Sequence, residues 1–186
     1  KEVLVDAIDL RGVKANTGNL IEGMEIKGTL GKLYAKADRI DLGKEIARLN
    51  KIDLSDTAIT LLMNDTTTNK DTTSTAVNWK LMLDQIDLDR VAFAMQIPGD
   101  SLRLSTYIDK AGLTDGIVDL GSARYSASQF LLSGSSLSYD GSYSDPAPGF
   151  DPAHIALNDV NIRIDSLLYG GRDISARIKK FSANDR

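Results

Sequence analysis

The residue types that usually carry catalysis or metal binding are scarce in this sequence. Its 186 residues include no cysteine and one histidine, His154, which excludes thiol catalysis, disulfides and zinc–thiolate sites. We expect His154 to lie at a sheet edge, without a catalytic or ligand role. Gly170 and Gly171 separate two alternating segments and predict a hairpin turn, because no phosphate-binding context surrounds them.

Aspartates that stand between two aliphatic residues are the remaining candidates for carboxylate chemistry. They recur at Asp9, Asp41, Asp53, Asp87 and Asp119. Because their positions correspond along the chain, we expect a structural role on the solvent face. Residues 65–71 contain spaced aspartates, but they lack the central glycine and the terminal glutamate of a calcium loop. The sequence therefore predicts no catalytic residue, no metal site and no cofactor.

Alternation of apolar and polar residues is the dominant pattern of the chain. Most alternating runs are four to seven residues long, such as 91–97, and Gly, Asn, Asp or Ser bounds them. Period two places the apolar side chains on one face of each strand, so we predict an antiparallel sheet with one apolar face. Candidate lining residues of that face are Met24, Ile26, Leu30, Ile59, Leu61, Met63, Phe93, Met95, Leu102, Leu104, Ile108, Leu137, Ile162 and Ile164.

An internal repeat decides the one segment whose composition favours a helix. Residues 43–50 are rich in Lys, Glu, Ala and Arg, which are good helix formers. A shift of 78 residues places Ile8-Asp9-Leu10 on Ile86-Asp87-Leu88 and places 43–50 on 121–128. The second copy has weak helix formers and alternates, so we predict strand for both copies.

The repeat also predicts an elongated architecture. We place the copies at about 3–63, 79–140 and 153–186, the last being partial, with linkers at 64–78 and 141–152. Both linkers are expected to be surface loops, and Asn64–Thr75, which contains no apolar residue, is expected to tolerate shortening. Because the sequence opens directly on a strand pattern, we interpret residues 1–186 as one segment of a longer β-repeat protein.

Composition limits the partners of this segment. The net charge of −4 and the pI near 5.0 argue against binding to nucleic acid. No apolar run approaches the roughly 20 residues of a membrane helix. Burying an apolar side chain contributes about 1.5–3 kcal/mol, so something must cover the apolar face. Either the sheet packs on itself or on a second sheet, or it curls into a groove that takes an apolar ligand.

Three segments resemble the TamB-type translocation and assembly module proteins of Bacteroidetes, within the AsmA-like group. They are Asn19–Gly31, Trp79–Leu88, and His154–Asp165 together with Ile174–Ile178. The resemblance implies an all-β, elongated, curled sheet, like a taco or half-pipe, with a hydrophobic groove. It also implies a periplasmic segment of an inner-membrane-anchored protein, whose groove conducts phospholipid or another acyl-chain ligand to the outer membrane without enzyme activity. An outer-membrane barrel partner would bind through regions outside this sequence.

An alternative function stays open. In it, the segment is a structural or scaffold module of an outer-membrane protein translocation and assembly complex. Its apolar face is then filled by its own side chains, and its outer surface or sheet edges contact envelope proteins. A continuous open groove favours the conduit, whereas a packed core favours the scaffold.

Overall fold

A computed structural model describes residues 2–3, 6–18, 23–63, 78–142, 144–170 and 173–185, which form one open sheet. Apart from the 3₁₀ turn Pro98–Asp100, the described residues contain no helix. The strands are β1 (Glu2–Val3), β2 (Ala7–Asn16), β3 (Met24–Asp41), β4 (Ile46–Met63), β5 (Lys80–Ile97), β6 (Leu102–Asp119), β7 (Arg124–Asp140), β8 (His154–Gly170) and β9 (Asp173–Asp185).

Spatial order follows chain order. β1 and β2 both pair with β3 along one edge, and the sheet continues through β4 to β9 at the other edge. Neighbouring strands are antiparallel except β4 and β5, which are parallel. The predicted all-β sheet is therefore confirmed, with one difference in strand direction. The reason lies in the repeat, because two three-stranded units in the same orientation place the last strand of one parallel to the first strand of the next.

The 78-residue shift relates strands as well as sequence. It carries β3 onto β6 residue for residue, and it carries the first residue of β4 onto the first residue of β7. β2 falls within β5 in the same way. The third copy joins the sheet in a different orientation from the second, because β8 runs antiparallel to β7. His154 begins β8 and pairs with Asp140 of β7, whereas β8 pairs with β9 only from Leu157 onward. The histidine therefore lies at the margin of the described sheet.

Residues 43–50, whose composition favours a helix, and their repeat equivalents 121–128 each begin in a turn and continue as strand. The strand prediction is therefore wrong for 43–45 and 121–123. Residues 42–45 form a turn before β4, and 120–123 form the equivalent turn before β7. Asp41 Oδ1 accepts hydrogen bonds from the backbone N–H groups of Gly43 and Lys44, both at 3.1 Å. Asp119 Oδ1 accepts one from Ser122 N at 3.0 Å. These two aspartates therefore hold turns, rather than facing solvent from within a strand.

Most strands are 17 or 18 residues long, far longer than the alternating runs. The runs end where single residues with positive φ interrupt the alternation, while the strand continues. Gly12 (φ 62°) and Asp56 (φ 51°) do so in the first copy, and their equivalents Arg90 (φ 52°) and Gly134 (φ 59°) do so in the second. In register these residues form one line across β2 to β7, here called the crease. As in a β-bulge, we infer that the strands bend there.

Candidate functional site: an uncovered apolar face

Two complete rows of apolar side chains run across the sheet from β2 to β9. Residues that are directly paired on neighbouring strands lie on the same face. Row A consists of Leu10, Leu33, Leu54, Leu88, Ala111, Leu132, Ile162 and Phe181. Row B consists of Ile8, Ala35, Ile52, Ile86, Leu113, Phe130, Ile164 and Ile178. Together they define a continuous apolar face.

The row between A and B points to the opposite face and is largely polar. It contains Asp9, Tyr34, Asp53, Asp87, Gly112, Leu131, Arg163 and Lys180. Arg11 pairs with Asp9 at 3.0 Å, and Lys51 Nζ lies 3.2 Å from Asp53. This agrees with the expectation that these aspartates are structural and solvent-facing. The Ile-Asp-Leu motif thus supplies one residue to row B, one to the polar face and one to row A.

Beyond the crease the apolar face continues with two further rows, C and D. Row C contains Val13, Leu30, Thr57, Val91, Ile108, Ser135 and Val160, with gaps in its pairing at the crease. Row D contains Ala15, Gly28, Ile59, Phe93, Thr106, Leu137 and Leu157. Between β2 and β8, rows A to D include no charged side chain and no histidine.

The hydroxyl groups on this face bond to the protein's own backbone. Thr57 and Ser135 are 3% and 2% exposed, and their hydroxyls donate to the carbonyls of Ser55 and Ser133 at 3.0 and 3.1 Å. Thr106 donates to Ser136 O at 2.9 Å. A ligand on this face therefore meets a surface that is apolar in character.

No second layer of described residues covers the apolar face. Strands make substantial contacts only with their hydrogen-bonded neighbours. Buried hydrophobic residues in the described chain are few, namely Ala47, Leu83, Val91, Ala127 and Val160, and no side chain there reaches complete burial. Ile59 is 37% exposed in the interior of the sheet, and Phe181 is 63% exposed at the β9 edge. The face is therefore an accessible surface rather than a packed core.

The structure brings the predicted lining residues onto this one face. Leu30, Ile108, Ile162, Ile164, Ile59, Phe93 and Leu137 belong to rows A to D. The other seven lie two or more residues further along the same strands, where Met24 pairs with Met63, Ile26 with Leu61, Leu61 with Met95, Met95 with Leu104, and Ile97 with Leu102. Whether they contact lipid stays a prediction. Sequence reasoning missed most of row A, although the repeated Ile-Asp-Leu motif carries its signal.

An open pocket of about 390 Å³ lies on the apolar face over β2, β3 and β4. Val13, Ala15, Ile26, Gly28, Leu54 and Ile59 are among its lining residues. Leu54 and Thr57 both line it although they are three residues apart, which shows how the crease returns apolar residues to the same side. Only Ile26, Leu30 and Ile59 of the predicted residues line this pocket.

The single histidine contacts an aspartate away from the apolar rows. His154 Nδ1 lies 2.9 Å from Asp151 Oδ2. The backbone N–H groups of Ala147 and Ala153 also donate to the Asp151 carboxylate, each at 2.9 Å. These bonds, that of Ala147 foremost, lower the pKa of Asp151 to about 2, and the bond to Asp151 raises the pKa of His154. The pair fixes the loop before β8.

Within the described ranges, no group of three or more His, Cys, Asp or Glu side chains could hold a metal ion. No helix of those ranges is long and apolar enough to cross a membrane. The aspartates of 65–71 and most of the linker 64–78 lie outside the described residues. So does Gly171, although β8 and β9 pair antiparallel from Gly170 and Asp173 onward.

The candidate site is an extended apolar surface with a polar reverse side. Protein-family models and curated protein sequences contain no match to this chain. The resemblance to the TamB-type proteins therefore rests on the sequence pattern alone.

Proposed function

We propose that this sheet is a segment of a lipid conduit, in which the apolar face carries the acyl chains of phospholipid between membranes. The observation that carries the proposal is the pair of apolar rows A and B, which run unbroken across eight strand positions and have no covering layer among the described residues. The rows run across the strands, so a chain lying on them would follow the long direction of the repeat.

The energetics favour a hydrocarbon occupant. Each large apolar side chain contributes about 1.5–3 kcal/mol when it is removed fully from water. Rows A and B hold fourteen such residues besides Ala35 and Ala111, and most of them are half-buried. An acyl chain would complete their burial without forming hydrogen bonds. Because rows A to D lack charge between β2 and β8, a lipid headgroup has no partner on the apolar face. The headgroup would therefore point away from the sheet into solvent.

The biological setting of the proposal comes from the family resemblance. We propose a non-enzymatic, periplasmic segment of an inner-membrane-anchored, TamB-type protein that supports outer-membrane biogenesis. Its barrel partner in the outer membrane would bind through other regions. No residue described above needs a cofactor for this role.

The second candidate is a scaffold module of a translocation and assembly complex. The observation that favours it is the open β9 edge, where Ile174, Ile178 and Phe181 are largely exposed. Unpaired edges accept further strands, so an envelope protein could dock there. Under this function the apolar face would be covered by protein and would not be open to lipid.

Charge placed on either face of one strand separates the two functions. Leu104 and Ser105 are adjacent in β6 and point to opposite faces; Leu104 pairs with Met95, and Ser105 is exposed. We expect Leu104→Asp to reduce photo-crosslinking to phospholipid severalfold while the melting temperature falls modestly, because water can reach the carboxylate on an uncovered face. Ser105→Asp should change neither quantity.

The same crosslinking and melting measurements also test the scaffold function. If the face is covered in the working protein, Leu104→Asp buries a charge, which costs several kcal/mol and unfolds a marginal domain. Unfolding of this variant, together with no lipid adduct on the parent protein, would favour the scaffold over the conduit.

A further inference from the structure

Among the positions at which the apolar face differs between the two complete repeats, two lie together at the pocket over β2 to β4. Two neighbouring residues of row D, Ala15 and Gly28, pair with each other at this pocket. Their equivalents after a shift of 78 residues are Phe93 and Thr106, which also pair with each other. Among the other lining residues, Val13 corresponds to Val91 and Leu54 to Leu132, whereas Leu33 corresponds to the smaller Ala111. The pocket thus exists where two small residues replace two larger ones.

The pocket has the properties of a binding site for hydrocarbon. Its volume of about 390 Å³ lies within the roughly 300–1,000 Å³ typical of ligand sites. Its lining includes no charged residue, and the hydroxyl of Thr57 is already bonded to Ser55 O. The lining therefore offers no charged partner to a headgroup.

We propose that this pocket is a discrete binding site for one acyl chain of a phospholipid, a position at which a chain is held rather than merely passed along. In the second repeat, the larger Phe93 stands at the position equivalent to Ala15. The inference rests on the proposed conduit function and makes it specific, since it names a site where the occupancy of the face by lipid is highest.

The second repeat supplies the substitutions that fill the pocket. In that repeat, Thr106 donates its hydroxyl to Ser136 O at 2.9 Å. Ala58 O is the equivalent acceptor, and it lies 3.2 Å from a Cβ built on Gly28. Gly28→Thr therefore has a precedent in the same sheet. Ala15→Phe is a second, independent filling variant on exposed edge strand β2.

The test uses phosphatidylcholine with a photoreactive diazirine in one acyl chain, presented in vesicles, and maps the adducts by peptide mass spectrometry. In the parent protein, adducts should concentrate on peptides of β2, β3 and β4. Gly28→Thr and Ala15→Phe should each lower that yield about tenfold, the effect of losing one well-formed apolar contact region. The double variant Phe93→Ala with Thr106→Gly should create new adducts on β5, β6 and β7.

Lys14→Phe adds the same ring to the opposite face of β2 and should leave the adducts unchanged. Circular dichroism and thermal melting identify any variant that fails to fold. If Gly28→Thr fails to fold, the adduct yield of Ala15→Phe alone tests the discrete site. If the adducts are spread evenly along the sheet and neither filling variant changes them, the discrete site is overturned and the conduit is left intact. No adduct anywhere would overturn both. Protection of the pocket by self-association, seen by size-exclusion chromatography, would overturn the site in favour of a second copy of this chain.

Discussion

At the crease, glycine and aspartate exchange places between the two repeats. In the first repeat, Gly31 of β3 faces Asp56 of β4, and a Cβ on Gly31 would lie 2.6 Å from both Cβ and O of Asp56. In the second, the equivalent residues are Asp109 and Gly134, and a Cβ on Gly134 would lie 3.3 Å from Asp109 Oδ2. The Gly31–Asp56 contact therefore leaves no room for a second side chain, and at the Asp109–Gly134 contact a second side chain would be tight.

A swap of these residues tests the coupling. Gly31→Asp should lower the free energy of unfolding by about 1–3 kcal/mol, because it overpacks the crossing. Adding Asp56→Gly should recover most of that loss, since the double variant reproduces the arrangement of the second repeat and places glycine at a positive φ. Chemical denaturation of the four proteins in a double-mutant cycle measures the coupling. Additive effects would show that the two positions are independent.

His154 and Asp151 make the loop before β8 sensitive to pH. The pKa of His154 is raised above its ordinary 6.5 by Asp151, with a smaller effect of Asp140. Its stabilising effect is therefore fully present below pH 6.5 and is lost as the pH rises through the folded-state pKa. Asp151, with a pKa lowered from 3.8 to about 2, stabilises above pH 3.8, an effect lost as the pH falls through about 2.

Because the chain has one histidine, its imidazole signal in an NMR titration is unambiguous. We expect a folded-state pKa above 6.5 in the parent protein and a clearly lower value in Asp151→Asn, which removes the negative partner. Asp145→Asn, in the same loop but not hydrogen-bonded to His154, serves as the control for charge. An unshifted titration in the parent would contradict the contact between His154 and Asp151.

At the scale of elements, alternation predicted the strands but not their length. The run 91–97 begins immediately after Arg90, and the run 59–63 begins shortly after Asp56; both are residues at which the alternation changes phase. From sequence alone such an interruption resembles the end of a strand. It could not be recognised by residue type, because the same position is Gly12 in one repeat and Arg90 in the other.

The alternation of apolar and polar residues was enough to predict the candidate face, but it could not predict the pocket. Period two is enough to place residues such as Phe93, Met95 and Leu104 on one side, since directly paired and next-but-one residues share a face. The pocket depends on which strands are neighbours and in what register, as when Ala15 comes to lie beside Gly28. The 78-residue shift does contain its signal, because it aligns those two small residues with Phe93 and Thr106.

At the scale of the whole molecule, the parallel pair β4 and β5 changes the expectation for the first linker. Ile46 pairs with Lys80 and Leu62 pairs with Gln96, so the end of β4 and the start of β5 lie at opposite ends of the sheet. A straight strand of this length spans about 55 Å, and bends at the crease shorten the distance. By contrast, Asp140 and His154 pair directly, so the second linker joins neighbouring points.

The two linkers should therefore respond differently to shortening. The 16 residues 64–79 reach at most about 55–60 Å, and deletion of residues 66–73 reduces that reach to about 30 Å. We expect this deletion to lower the melting temperature by separating β4 from β5. Replacing the same eight residues with glycine and serine should not, because the reach is kept. Deletion of 144–146, which keeps Ala147 and its bond to Asp151, should have little effect, since the ends of that linker already meet. If the 66–73 deletion melts like the parent, β4 and β5 are not joined as a parallel pair within one chain.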